Sequence, residues 1–594
     1  METNETEDID KKLPKLPLID TFDHLDIHQA TEESSLLPWD KFSHWIHCIC
    51  IVTFDLEVGQ ALELIYPRHV TLSDTERANI CYLAFPDSNS GCMGDTSYHF
   101  RIRQCLKSRS SDSLSFLRTY NKHAAVSLQV ERGTYYGYVY FRQRKDKSIR
   151  RGYFQKSVVV LSMLPFINLF TKVVNIIAPE FFENGEPGLE AACHDIDQWP
   201  APIAGEELSL PVMGTVIQAR IPGCNDKLTG IYPSPRPNSP VENLVTCILP
   251  SIHETNTYSI YQPVLAHLQL LWELVLCSEP LAVMASSPSC SAQAVQALVG
   301  LIWPLKYNTD YRPFFTIHDS EFKEYTTRTQ APPPVILGVT NPFFAKTLQH
   351  WPHIVRLGDT LDTKKVKVKK AGILKTLDSK PGVYTTYKPY LSKDKSLLKK
   401  LEQVPGLQGE SSNRPIEVQN LMLKRFFVEL THTFMVPLER YVAGLMPLLR
   451  NINPHKGTPM LGSFNTEDFI QTLDSSIMAT GIKGDWAGLY RRFCQSANFQ
   501  GWYNQKRLEA NGRLQQLHVQ ALCDMDWLEW ANGKQEVEVV DLLLRMNDKL
   551  LMLSDTQAAG SEASYKEVLE QHMKNIISTL PEDLCSVLST FKPP

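Results

Sequence analysis

Apolar and polar positions alternate along this chain in blocks whose period changes several times. From Trp45 to Phe54 the residues are almost continuously apolar, Asp55 to Gln60 supplies a turn containing Gly59, and Ala61 to Tyr66 reads as a second strand. Together they predict a hairpin. Ser73 followed by Glu76 has the spacing of a capping box, which opens a helix that Pro86 closes. Tyr98 to Arg103 then alternates, Tyr135 to Phe141 and Tyr153 to Ser162 read as further strands, and Phe166 to Phe182 has helical apolar spacing.

Residues 224–243 break this pattern with Pro233, Pro235, Pro237 and Pro240 among polar residues, as a linker would. Beyond them a helix is expected over Pro263 to Cys277, a buried strand over Leu281 to Met284, and a helix opened by Ser287-Pro288 that ends before Pro304. Pro313 to Ile317, Val335 to Val339 and Ile354 to Leu357 read as strands, with a helix over Asn341 to His350 between the last two. Strands that alternate with helices predict an α/β layer with a largely parallel sheet. From about Leu397 the pattern turns helical, as in Leu421, Leu423, Phe426, Phe427, Leu430 and Phe434.

These shifts divide the 594 residues into an acidic tail without periodic spacing (1–38), a first α/β domain (39–223), a linker (224–252), a central α/β domain (253–378), a helical domain (379–515) and C-terminal helices (516–594). Such a length exceeds what one hydrophobic core organises. With 43% hydrophobic and 21% charged residues the composition is that of an ordinary globular protein, and a net charge of -5 does not suit a protein that coats nucleic acid. The 13 cysteines are scattered, without the paired spacing of a disulfide or zinc framework, which fits a reducing compartment. Met1 to Asp10 lack the basic start and apolar run of a signal peptide. The most apolar windows, Ser157 to Phe170 and His267 to Ala285, are interrupted by Pro165 and by Glu273, Glu279 and Pro280, so any membrane contact is expected to be peripheral.

Candidate catalytic chemistry fails residue by residue. His44, His47, Cys48 and Cys50 are metal-ligand types, but in a strand His47 faces away from the other three and no second cysteine pair accompanies them. A phosphatase loop built on Cys48 would need an arginine where Phe54 stands. Ser286 and Ser287 sit between a strand and a helix, yet lack the flanking glycines of a nucleophile elbow and read as helix caps. His318-Asp319 has no partner constellation, and neither a phosphate-binding loop nor a dinucleotide fingerprint occurs. No metal and no cofactor are therefore expected.

The stretch from Pro304 to Phe344, PLKYNTDYRPFFTIHDSEFKEYTTRTQAPPPVILGVTNPFF, resembles the central part of a DENN domain of the subfamily-six type. The resemblance continues through Lys346 to His353 and returns from Leu377 to Gly382. It implies a longin-like N-terminal module, a central α/β DENN module and a C-terminal helical module. It also implies guanine nucleotide exchange on a Rab GTPase of an endosomal or recycling compartment, in its GDP-bound or nucleotide-free form, with no covalent chemistry. A scaffold or effector that binds a Rab without exchanging its nucleotide is the alternative. At the carboxyl end of a buried parallel strand, where partners of α/β sheets gather, Gly338, Asn341, Phe343 and Phe344 are the candidate partner-binding residues. Phe343 and Phe344, adjacent on a helix, should diverge by about 100°. Two basic runs are candidates for acidic membrane or an acidic partner: Lys364, Lys365, Lys367, Lys369 and Lys370, and a turn with Arg142, Arg144, Lys145, Lys147, Arg150 and Arg151. As plain structure, they would be a lysine-protected edge strand and a solvated turn.

Overall fold

The apolar run that ends at Phe54 forms strand β1 (Cys48–Asp55), and Gly59 turns the chain into β2 (Gly59–Tyr66). Every residue from Cys48 to Val52 is fully buried, so this strand is covered on both faces. Strands β3 (Gly94–Arg103), β4 (Thr134–Lys145) and β5 (Tyr153–Ser162) complete an antiparallel sheet in the order β2-β1-β5-β4-β3. The helix Ile167–Asn184 packs on β3, β4 and β5, and the helix Asp74–Leu83 packs on β2 and β3. Ser73 and Glu76 make the reciprocal capping box that their spacing predicts.

The computed structural model describes residues 39–87, 93–105, 111–148, 152–226, 245–358, 381–402, 415–473, 482–555, 561–581 and 584. The acidic tail, the proline-rich run at 233–240, Arg150, Arg151 and the lysines at 364–370 lie outside the described residues. By its internal contacts the chain forms two units, one of residues 1–432 with 480–498 and one of residues 433–479 with 499–594. Sequence patterning puts a boundary at 515–516, a position inside the continuous helix Ala497–Cys523.

In the first unit a small sheet of β6 (Glu207–Val212), β7 (Thr215–Arg220) and β8 (Val245–Leu249) follows the antiparallel sheet. Residues 245–249, counted with the linker from sequence, are thus a strand paired parallel to β7. The second large sheet contains β9 (Leu281–Met284), β10 (Asp310–Arg312), β11 (Val335–Val339), β12 (His353–Arg356) and β13 (Gly382–Thr385). Its order is β10-β11-β9-β12-β13, parallel except for the last pair. The helix Pro288–Gly300, capped by Ser287 Oγ accepting from the Cys290 N–H at 3.2 Å, packs on β9, β10, β11 and β3.

Three expected elements are displaced. The strand read over 313–317 lies at Asp310–Arg312, because Pro313 has no N–H to offer the ladder. The helix read over 341–350 is a single turn, Phe344–Thr347, preceded by Pro342 and an Asn341 turn. The helix read over 263–277 is a 3₁₀ segment, Gln262–His267, followed by the α-helix Leu268–Leu276.

In the second unit the helices Trp527–Ala531, Glu536–Asp555 and Ser561–Ile577 close on a core of Val519, Leu522, Trp527, Leu542, Met546 and Leu569. The architecture is mixed α/β with a helical C-terminal region.

Candidate functional site

Two edge strands meet in the first unit without sharing a ladder. β3 ends the antiparallel sheet and β10 ends the parallel one, and side chains join them. Arg101 of β3 is buried and makes ion pairs with Asp310 and Glu131, while its guanidinium carbon lies 4.3 Å from the centroid of the Tyr311 ring. Arg312 Nη1 donates to the Arg101 carbonyl oxygen at 3.2 Å, its Nε to Asp310 at 2.9 Å and its Nη2 to Glu321 at 2.5 Å. Arg103 reaches Glu321 at 2.9 Å, the Tyr136 and Tyr311 hydroxyls are 2.8 Å apart, and the Tyr98 and Phe314 rings meet edge to face at 5.2 Å.

Charges this deep persist only when each has a partner. Burial alone would lower the Arg101 pKa, but the surrounding oxygens of Tyr311, Tyr136, Glu131 and Asp310 outweigh it and raise it. Burial would likewise raise the Asp310 carboxyl, and Arg312, Arg101 and Arg103 hold it below the usual carboxylate range instead. Both stay ionised. The seam is a paired network.

The same seam extends to the carboxyl end of β11. Thr340 Oγ1 donates to the Asp87 carboxylate, which also accepts the Asn341 N–H. Burial raises the Asp87 pKa, and those hydrogen bonds together with nearby His318 offset part of the rise. The Tyr82 ring stacks on His318 at 5.0 Å. One residue further on, Asn341 Oδ1 accepts the Phe343 N–H at 2.9 Å and turns the chain outward. Phe343 is 50% exposed and its ring stacks on Phe322 at 6.5 Å. Phe344 is fully buried, 5.8 Å from the Phe315 ring in a cluster with Leu348, Trp351 and Ile354.

The chain is 53% identical over 559 residues to mouse Protein DENND6A, an alignment that covers 93% of this chain and 91% of the mouse protein. The chain belongs to the DENND6 family. Human Protein DENND6B is 50% identical over 559 residues (93% and 94% of the two chains), and the Dictyostelium discoideum Protein DENND6 homolog 32% over 628 residues (93% and 84%). The family profile described as the DENND6 C-terminal domain matches residues 528–590, and that described as Transport protein Avl9 matches residues 46–188.

In this DENND6 chain the candidate residues at the end of β11 fall into different surroundings. Gly338 permits a close approach, but the approach is internal: a Cβ there would collide with the Pro313 carbonyl oxygen, Ser291 Oγ and Val295. The Gly338 carbonyl oxygen accepts the Phe315 N–H at 2.8 Å, and Ser291 Oγ donates to the Pro313 carbonyl at 2.9 Å. Gly338 and Phe344 therefore build the core, Asn341 sets the turn, and Phe343 presents a ring to solvent. Of the basic turn, Arg142 is committed to Asp95 at 2.8 Å and lies 4.8 Å from the Phe182 ring centroid, with Arg144 3.4 Å from Asp95.

The residues set aside as catalysts have structural partners. His44 stacks on Phe116 at 4.3 Å and His47 on Tyr135 at 4.8 Å. The buried Cys48 and Cys50 sulfurs are 3.7 Å apart, and that contact together with burial pushes the Cys48 thiol well up. Asp319 caps the turn at Glu321, accepting its N–H at 2.9 Å. Among the described residues no group of three or more His, Cys, Asp or Glu side chains could hold a metal ion, and no helix is long and apolar enough to cross a membrane. Sequence reading missed Asp87, Arg101, Glu131 and Asp310. The one available signal was the pair of opposite charges Asp310 and Arg312 just before the apolar run Pro313 to Phe315.

Proposed function

We propose that this chain is a guanine nucleotide exchange factor that promotes GDP release and GTP loading on an endosomal or recycling-compartment Rab GTPase. The observation that carries the reading is the contact of Thr340 with Asp87. A partner laid on the exposed Phe343 and on Phe322 also meets the edge of the antiparallel sheet's module, so one GTPase can span both layers. In this reading the antiparallel sheet with its helices is the longin-like module and the parallel sheet is the central DENN module. The GTPase is engaged in its GDP-bound or nucleotide-free form through its switch regions, which loosens the contacts that hold magnesium and nucleotide.

Such catalysis is differential binding, requiring the nucleotide-free partner to be held more tightly than the loaded one. A thousandfold acceleration needs a barrier lowered by about 4 kcal/mol, within reach of one interface and without a covalent step or cofactor. Recruitment to the membrane is peripheral, with Lys364, Lys365, Lys367, Lys369 and Lys370 against acidic headgroups.

The test is release of fluorescent GDP from a complete Rab panel at substoichiometric amounts of the full chain. At least one endosomal Rab should respond catalytically, and tighter binding should go to its nucleotide-free or GDP form. A panel in which none responds above its spontaneous rate ends the proposal. Binding confined to the GTP form would make the chain an effector.

A further inference from the structure

The helix Glu536–Asp555 buries Val539, Leu542, Leu543, Met546 and Leu550 in the core of the second unit. Its opposite face is apolar too. Val537, Leu544 and Leu551 are 72%, 41% and 37% exposed, and they recur every seventh residue. Seven residues turn a helix by about 700°, within about 20° of two full turns, so the three side chains line one narrow stripe. A stripe of this period supplies one of the two positions per heptad by which one helix receives another, and Val540 stands at the other in the first repeat.

The charges beside the stripe specify the kind of helix. At about 100° per residue, Asp541 and Asp548 lie about 60° and 40° round from Leu544 on the same side. Both are exposed. The basic residues of the same helix are bonded elsewhere, Arg545 Nη1 donating to the His455 carbonyl oxygen and Lys549 Nζ to Thr458 Oγ1, each at 2.9 Å, with Lys549 still near enough to Asp548 to be favoured by its charge. Arg545 approaches Asp541 only at 4.0 Å, between side chains that are both more than half exposed, and neutralises it little. Val540 and Asn547, on the other flank, carry no charge.

A second copy of this chain fits poorly. An antiparallel pair centred on Leu544 would set Asp541 beside Asp548 of the second copy, and a parallel pair would press both carboxylates against Val540 and Asn547 without a counter-charge. We propose that this face docks an amphipathic helix of another protein, with apolar residues every seventh position and lysine or arginine beside them, opposite Asp541 and Asp548.

The probes are two helical peptides with leucine at every seventh position, one flanked by lysines and one by glutamates, titrated against the full chain by fluorescence anisotropy at low salt. The lysine peptide should bind the parent chain and lose about tenfold or more in affinity on Leu544→Ser or on Asp541→Lys with Asp548→Lys. The glutamate peptide should bind the double lysine variant more tightly than the parent, a gain that unfolding cannot produce. The proposal is overturned if the lysine peptide fails to bind the parent, or binds the parent and both variants equally. A dimer seen by light scattering and dissolved by Leu544→Ser would give the face to a second copy and overturn it as well.

Discussion

The Arg101 guanidinium rests 4.3 Å from the centre of the Tyr311 ring, a cation held against an aromatic face by residues more than two hundred positions away in the chain. Its ion-pair partners Asp310 and Glu131 are about three-quarters buried. Arg101→Ala would take from each carboxylate one of its counter-charges, leaving Asp310 with Arg312 at 2.9 Å and Glu131 with Lys306 at 3.4 Å, a loss expected at roughly 1–3 kcal/mol. It should appear as a lower urea midpoint with little change in m. Pairing it with Glu131→Gln, the carboxylate left with Lys306 alone, should recover part of the loss, and a double variant no better than the single one would refute the network reading.

Phe343 and Phe344 should separate stability from partner binding. Phe344→Ala empties a fully buried ring from a core cluster and should cost about 3–5 kcal/mol. Phe343→Ala removes a half-exposed ring and should shift stability by about 1 kcal/mol or less while slowing GDP release. Melting curves and release rates on the two single mutants decide the matter. A Phe343 variant that exchanges at the parental rate would place the partner elsewhere.

Acid should unfold the first unit partly through two imidazoles. Burial lowers His253 to about 4 and His99 to about 3, from 6.5 for an exposed imidazole. The unfolded chain therefore binds protons that the fold refuses, so this stability is complete above about pH 6.5 and is lost as pH falls through 4 and then 3. Glu273 acts in the opposite sense, because burial raises its carboxyl pKa and the folded chain takes that proton first. The clean observable is a difference: His253→Gln should flatten the loss of stability between pH 6.5 and 4 relative to the parent. Parallel curves for the two proteins would contradict a buried neutral His253.

Neutralising Lys364, Lys365, Lys367, Lys369 and Lys370 together should weaken binding to acidic vesicles and leave exchange in solution nearly unchanged. Physiological salt should act in the same direction as the substitutions, since exposed charges more than about 8 Å apart are largely screened there. Equal vesicle binding by variant and parent in low salt would remove the membrane role.

Period and punctuation made the interiors of the sheets legible. Strands β1, β5, β9 and β11 lie where continuous apolar or β-branched runs put them, and the capping box of Ser73 and Glu76 forms as spaced. What stayed hidden depends on neighbours distant in the chain. Pro313 ends β10 early because a ladder position needs an N–H, and Pro342 with the Asn341 turn shortens the following helix to one turn. Strand β8 has half-exposed, weakly patterned residues and exists only because β7 pairs with it. The seam was illegible for the same reason. No local pattern says that Arg101 will be buried, since its partner Asp310 stands 209 residues later.

That separation has a consequence for how the molecule is made. At roughly 5–20 residues per second, a ribosome needs on the order of 10–40 s to travel from Arg101 to Asp310. During that interval the antiparallel sheet can close while its β3 edge is still uncovered, and an uncovered edge invites pairing with another chain. Arg101 and Arg103, adjacent positions on one face of that strand, keep it charged and hydrated until Asp310, Arg312 and Glu321 emerge to receive it. The charges that lock the finished seam can thus first guard the nascent chain.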